Sequence, residues 1–248
     1  MNEIQALIDH FEPISLPEME SVALLNRIDT KYLMNVDQFG QILAQIRHRY
    51  RVLTVDEVRL NHYQTLYFDT ADFALYLRHH NGGLNRYKVR CRKYVDSNLC
   101  YLEVKFKTNK GRTIKNRIRI PEIITKFEEY THDFLREYCP LDLHLLEPKI
   151  WNSFVRITMV SKYAVERLTI DLNLQYQHGK DELELPGLVV TEVKQEGFSL
   201  KSDFIQQIRT MNLQPIGFSK YCMGAAKMYQ HLKSNNFKPS NLLIKKLT

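Results

Sequence analysis

The stretch "NRYKVRCRKY" (residues 85–94) decides how the chain is to be read. It reads as a β-strand, and side chains on a strand alternate between two faces. Arg86, Lys88, Arg90 and Arg92 then share one face at a spacing of about 7 Å, while Tyr87, Val89, Cys91 and Lys93 share the other. Cations lined up in this way repel each other, so something must compensate them. Two further strands repeat the pattern across the connectors "DSN" (96–98) and "TNKG" (108–111). In "CYLEVKFKT" (100–108), Tyr101, Glu103, Lys105 and Lys107 oppose Leu102, Val104 and Phe106. In "TIKNRIRI" (113–120), Lys115, Arg117 and Arg119 oppose Ile114, Ile118 and Ile120.

The net charge of +7 is concentrated in this region. Residues 84–119 hold twelve Lys/Arg and two acids, whereas the rest of the chain holds 23 basic and 26 acidic residues. A concentrated positive field implies an anionic partner: a phosphate chain, nucleic acid or an anionic membrane. A nucleic-acid binder is disfavoured, because the sequence shows no helix-turn-helix, no zinc finger and no aromatics interleaved with the cations for stacking.

With 248 residues and 44% hydrophobic content, the chain can bury a sizeable core. It has no apolar run long enough for a transmembrane helix and no secretory signal, so a cytoplasmic location is expected. Cys91, Cys100, Cys139 and Cys222 lack metal-ligand spacing and are expected to be buried thiols. Helices are expected over 1–10, 18–26, 36–50 (with Asp37 as cap), 71–79, 121–129, 131–138, 200–211 and 218–233. Strands are expected near 51–55, 62–68, 84–94, 99–107, 112–120, 151–160, 165–175 and 187–195. Along "ERLTIDLNL" (166–174), Leu168, Ile170, Leu172 and Leu174 alternate with Arg167, Thr169, Asp171 and Asn173. "ELELPG" (182–187) reads as a loop because of Pro186 and Gly187. His79 and His80 lie by a turn and read as surface residues. Asp29 is expected to cap or to pair with Arg27, and Asp171 to pair with a strand cation. Successive hairpins with helices between them imply an antiparallel α+β architecture.

Taken in order, "RIDTKYL" (27–33), "YFDT" (67–70), "RYKVRCRKY", "YLEVKFK", "KNRIRI", "ERLTIDLNL", "TEVK" (191–194) and "FSKY" (218–221) resemble the VTC domain. That is the polyphosphate polymerase domain of the CYTH-like triphosphate tunnel metalloenzymes. The resemblance implies a closed antiparallel β-barrel with a basic tunnel inside and helices packed outside. It divides the chain into a helical segment (1–21), the tunnel domain (22–233) and a basic tail (234–248) expected to fray. It also implies transfer of the ATP γ-phosphate to inorganic polyphosphate with a divalent metal, Mn²⁺ or Mg²⁺. On this resemblance Lys31, Arg90, Arg92, Lys105, Arg156 and Lys220 are the catalytic candidates. Lys88, Lys107, Lys115, Arg117, Arg167, Lys194 and Ser219 are phosphate-binding candidates, and Glu192 and Glu103 are candidate metal ligands. Phe154 stands where the family usually has tyrosine, and Gly217 where a basic residue often precedes "FSK". A tripolyphosphatase or nucleoside triphosphatase of the same fold, and a non-enzymatic polyphosphate-binding module, remain as alternatives. A partner membrane protein also remains open.

Overall fold

Strands that alternate apolar and cationic residues must bury one face and reserve the other for polar partners. The computed structural model, which describes residues 2–21, 28–197 and 199–248, shows how this is done. The main sheet runs in the order β2 (Ile28–Asn35), β11 (Leu188–Gln195), β9 (Glu166–His178), β8 (Leu146–Ser161), β4 (Asn61–Thr70), β5 (Arg86–Tyr94), β6 (Leu99–Lys107) and β7 (Thr113–Ile120). All neighbours on this path are antiparallel. Off the path, β10 (Asp181–Leu185) pairs with β9, and β1 (Glu12–Ile14) runs parallel to β3 (Tyr50–Leu53). Among the described residues no ladder joins β7 to β2, so hydrogen bonds do not close the sheet into the expected barrel.

The outer face carries two apolar layers. Helices α1 (Asn2–Asp9), α3 (Val36–Ile46) and α6 (Asp203–Thr210) cover β2, β11, β9 and β8, with Ile4, Phe39, Ile42, Ile157, Ile170 and Phe204 buried between them. Helix α5 (Glu129–Tyr138) covers β4, β5 and β6 through Leu66, Val89, Cys91, Leu102, Phe134 and Leu135. All four cysteines are buried and free. The cap of α3 is Asn35 rather than Asp37. Its Oδ1 accepts from the Gln38 N–H at 2.8 Å, and Gln38 Oε1 accepts from the Asn35 N–H at 3.0 Å. Such a reciprocal pair satisfies two backbone donors at once.

Not every helix lies outside. Leu33, Tyr67, Ile150, Leu174, Tyr176 and Val190 turn to the inner face, where they pack with Tyr221, Cys222, Met223 and Ala225 of α7 (Lys220–Met228). Strict alternation would put Leu174 on the outer face beside Leu172. A bulge prevents this: the β8–β9 register shifts between Ser153 and Val155, and Asn173 adopts a left-handed φ of 51°. The extra residue turns the rest of β9 over. Asp69, fully buried at the end of β4, positions α7. It accepts from the backbone N–H groups of Thr70, Leu75 and Tyr76, and from the Tyr221 hydroxyl at 2.5 Å.

Further corrections have local causes. Residues 121–128 form no helix; Ile123, Ile124 and Thr125 are β-branched, which disfavours one. "ELEL" is part of β10, and the expected loop is only the turn after it. The tail expected to fray forms α8 (Lys238–Leu247), with Ile244 buried in the inner core. His80 is buried: its Nε2 accepts from the Asn236 N–H at 3.2 Å, and its carbonyl accepts from Asn236 Nδ2. The 1–21 segment contains the strand β1 and the helix α2 (Leu16–Ser21) as well as α1. The rest of the expected 18–26 helix, and Arg27 with its pairing to Asp29, lie outside the described residues.

A close helix–sheet approach yields a test. A Cβ on Gly224 of α7 would lie 2.5 Å from Tyr176 Cε1 and 2.9 Å from Ile150 Cδ1, both buried. Gly224→Ala gains about 1 kcal/mol of helix propensity but must force apart a packed core. A net loss of about 1–3 kcal/mol is expected, read as a lower Tm and denaturation midpoint.

Candidate anion-binding site

Cross-strand register brings the cations together in rows. Lys88, Lys105 and Lys115 lie directly opposite one another on β5, β6 and β7. The next row is Arg90, Glu103 and Arg117, and the next Arg92, Tyr101 and Arg119. Across the sheet, Lys31 is opposite Glu192, and Lys194 is opposite Arg167. Like charges directly opposite destabilise a sheet, and the lysine row contains no acid.

Three interior carboxylates answer these cations, and each is shared by two of them. Arg90 donates to Glu103 Oε2 from Nε at 2.8 Å and from an amino group at 2.5 Å, while Lys115 reaches Glu103 Oε1 at 2.9 Å. Arg156 grips Asp171 with two bonds of 2.6 and 2.8 Å, and Lys220 donates to the same carboxylate. Glu192 pairs with Lys31 at 2.8 Å and with Lys194, which also donates to Thr169 Oγ1 at 3.0 Å. Each group of three therefore keeps a net positive charge.

Arg92 is 6% exposed and bonds Thr65 Oγ1 at 3.2 Å, with no carboxylate partner among the described residues. Lys88 donates to Ser219 Oγ at 2.9 Å. Ser219 is the N-cap of α7, so the positive end of that helix also faces the cluster. Lys107, Lys115 and Arg117 lie at the exposed margin, while Lys31, Lys88, Lys105, Arg156, Arg167 and Lys220 are half-buried.

The electrostatics follow from this crowding. Burial opposes ionisation of Glu103, but Arg90, Arg92 and Lys115 outweigh it and hold the carboxyl far below its ordinary range. Burial likewise opposes ionisation of Asp171, and Arg156 and Lys220 overcome it. The Arg90 field, followed by burial and Arg92, pushes Lys105 well below the usual lysine value. Burial lowers Lys194 to about 8 against the opposing pull of Glu192, and burial lowers Lys88 and Lys220 as well.

Sequence reasoning missed the aromatic floor. Tyr63 and Phe154 stack with centroids 5.1 Å apart. Arg156 lies 5.0 and 5.2 Å from the two rings, and the Lys220 ammonium 4.6 Å from Phe154. The phenylalanine at 154 thus retains a ring under the cations but offers no hydroxyl. The missed signal was Tyr63 at even spacing from Thr65 and Tyr67 on β4, the face that meets Arg92 and Arg90.

Among the described residues no three His, Cys, Asp or Glu side chains gather as a metal site. Both carboxylates have both oxygens engaged by cations, Glu192 by Lys31 and Lys194, but Glu103 is fully buried whereas the Glu192 side chain is 21% exposed. Glu192 could contribute one oxygen to a hard cation whose other ligands come from a bound anion and water.

The family model described as VTC domain matches residues 26–229. Among solved structures, a Hippeastrum protein is similar over 81% of this chain and 96% of its own, with 14% identity and a TM-score of 0.51. It is described as a candidate adenylyl cyclase with a dominant triphosphatase activity. A candidate adenylate cyclase from Bacillus halodurans is similar over 78% of this chain and 94% of its own, with 15% identity and a TM-score of 0.49. At such identities, the Hippeastrum likeness shows the fold alone. A search of curated proteins by sequence finds none that matches.

The buried Arg90–Glu103–Lys115 group sets a stability test. Glu103→Gln leaves Arg90 without its counter-charge, and breaking such a pair costs about 3–5 kcal/mol. The same change at the more exposed Glu192 should cost less. The folded pKa of Glu103 is depressed. Its contribution is therefore present above the unfolded carboxylate value of about 4 and lost as pH falls towards the native value. Denaturant melts across this range should show that acid-side loss in the wild type and a smaller one in Glu103→Gln.

Proposed function

The chain belongs to the VTC domain family, and on that premise we propose that its interior binds the phosphates of a nucleoside triphosphate such as ATP and transfers the terminal phosphoryl group to inorganic polyphosphate. The observation that carries this reading is Lys88 and Lys105 in their row with Arg92 beside them, cations with which none of the three interior acids forms an ion pair among the described residues, next to a Lys115 that shares Glu103 with Arg90. A polyanion relieves their repulsion, and a solvated surface would have no use for so many of them beneath an aromatic floor. Phosphoryl transfer asks a protein mainly for positioning and charge neutralisation.

In this reading Arg90, Arg92, Lys105, Arg156 and Arg167 neutralise the nucleotide phosphates. Arginine forks suit phosphate oxygens geometrically, whereas lysines act as point charges. Lys88, Ser219 and Lys220 are gathered at the start of α7 and, with Lys31, orient the acceptor phosphate. Lys107, Lys115, Arg117 and Lys194 extend the basic lining towards the margin. Glu103 and Asp171 hold Arg90 and Arg156 in place, so those forks are set before the substrate arrives. The nucleophile is already a phosphate oxygen, so no general base is required. A divalent ion, Mn²⁺ or Mg²⁺, would be held by Glu192 together with phosphate oxygens and supply Lewis-acid neutralisation. Glu103 stays with Arg90 and Lys115 unless ligand binding releases one of its oxygens.

The purified chain with ATP and Mn²⁺, with and without a short polyphosphate primer, should yield ADP and lengthened polyphosphate. ADP matched by free phosphate would instead identify a triphosphatase. Tight polyphosphate binding without turnover would identify a binding module. Arg92→Ala should weaken tripolyphosphate binding by roughly ten- to a hundredfold, the scale of a lost charge-assisted contact. An unchanged Kd would refute the interior site.

Binding should also depend on pH with a defined sign. The anion needs lysines protonated, and Lys194 titrates at about 8, with Lys105 lowered as well. Affinity for tripolyphosphate should be full below that value and fall as pH rises through it. Lys194→Arg should move the decline upwards. Calorimetric titrations from neutral to alkaline pH would measure it.

A further inference from the structure

A second concentration of positive charge lies away from the interior. Residues 221–248 contain five lysines and no acid. Three of these, Lys227, Lys238 and Lys245, line a cavity of about 580 Å³ between β10 and α8. Its wall is apolar, with Leu183 and the exposed Leu242 at the surface and the nearly buried Leu185 and Ile244 completing it. Ser234 and Asn235 add polar groups at the rim. The acid among the lining residues, Glu184, is engaged, its Oε1 accepting from Gln175 Nε2 at 2.9 Å. None of the three lysines forms an ion pair among the described residues, in contrast to the shared carboxylates of the interior.

We propose that this cavity is a second binding site, for a small organic phosphate whose phosphate group sits on the lysine rim and whose carbon body lies on the leucine and isoleucine wall. Several features favour this class. The volume is that of a small-molecule site, typically about 300–1,000 Å³. Lysines bind phosphate as point charges and need no fixed fork geometry. Inorganic phosphate or a bare phosphate chain would leave the apolar wall uncovered, so a ligand with carbon surface gains more by burial.

Two connections tie the cavity to the interior. Helix α7 presents Lys220 to Asp171 at one end and Lys227 to the cavity in its last turn. On α8, the Ser240 hydroxyl donates to the carbonyl of Gly217 at 2.9 Å, two residues before the α7 N-cap. A ligand that holds α8 against β10 therefore holds the segment that places Ser219 and Lys220. Coupling between the sites is reciprocal by thermodynamic necessity.

The test is calorimetric titration of the full chain with ADP as probe. It is repeated with inorganic phosphate, and in Lys238→Glu/Lys245→Glu and the neutral Lys238→Gln/Lys245→Gln. Both lysines are exposed, so neither double variant disturbs the core; thermal melts check this. The expected result is a saturable ADP event weakened by about tenfold or more in both variants, with inorganic phosphate binding more weakly than ADP. Arg92→Ala separates the two sites: it weakens interior binding and leaves this event in place. The proposal is overturned if the ADP isotherm is the same in wild type and both lysine variants, or if inorganic phosphate binds as tightly as ADP. Failure of the interior reading would show differently, as an ADP isotherm with the lysine-dependent event alone.

Discussion

Repulsion between cations on one face of β5, β6 and β7 is the constraint to which the rest of the structure answers. The opposite faces of β5 and β6 are largely apolar and buried under α5, and Ile120 of β7 joins the same core, so the cations cannot turn away. The sheet turns them inward, towards the strands that bring Asp171 and Glu192. Three acids then hold six cations, four of them (Arg90, Lys115, Arg156 and Lys31) placed by cross-strand register. Glu103 meets Arg90 directly across a strand pair and Lys115 on the diagonal. Asp171 meets Arg156 across another pair and Lys220 from a helix. Arranging a few carboxylates among many cations keeps the guanidinium groups oriented without cancelling the field, and an interior that binds phosphates needs both.

Much of this was legible in the chain because period-two alternation is a local signal. The central hairpins, the inward row from Arg86 to Arg92 and the pairing of Asp171 with a strand cation all follow from it. What was not legible depended on partners distant in sequence. Leu174 continues a perfect alternation, yet one residue, Asn173, in a left-handed conformation sends it to the other face. His80 reads as a surface residue beside a turn until Asn236 covers it. The final lysine-rich segment reads as a frayed tail because its apolar residues are few. Ile244 and the Ser240 bond to Gly217 fix it nonetheless. Asp37 looks like the cap of α3 because it is acidic and early, but the backbone enters the helix two residues sooner, at Asn35.

The bulge and α7 belong together. Beyond Asn173 the inner face becomes apolar, and α7 covers that part. Its glycine at 224 allows contact with Tyr176 and Ile150 that a larger residue would prevent. Its first residue, Lys220, emerges where the apolar surface gives way to Asp171 and Phe154. One helix thus buries the hydrophobic half of the interior and furnishes the polar half. The buried Asp69, with four hydrogen bonds, sets its position through Tyr221.

The two unjoined edges, β7 and β2, have a mechanical consequence. In a sheet closed by hydrogen bonds the circumference is fixed by strand number and stagger, and widening it means breaking a ladder. Here, among the described residues, no strand ladder resists a change of girth at that seam. Beside the packing of α7, the distance across the interior then responds to the balance between cations that push the walls apart and anions that draw them in. On the proposed function, a phosphate chain would be more than a ligand in a preformed hole: it would act as an internal counter-ion on which the width of the vessel around it depends.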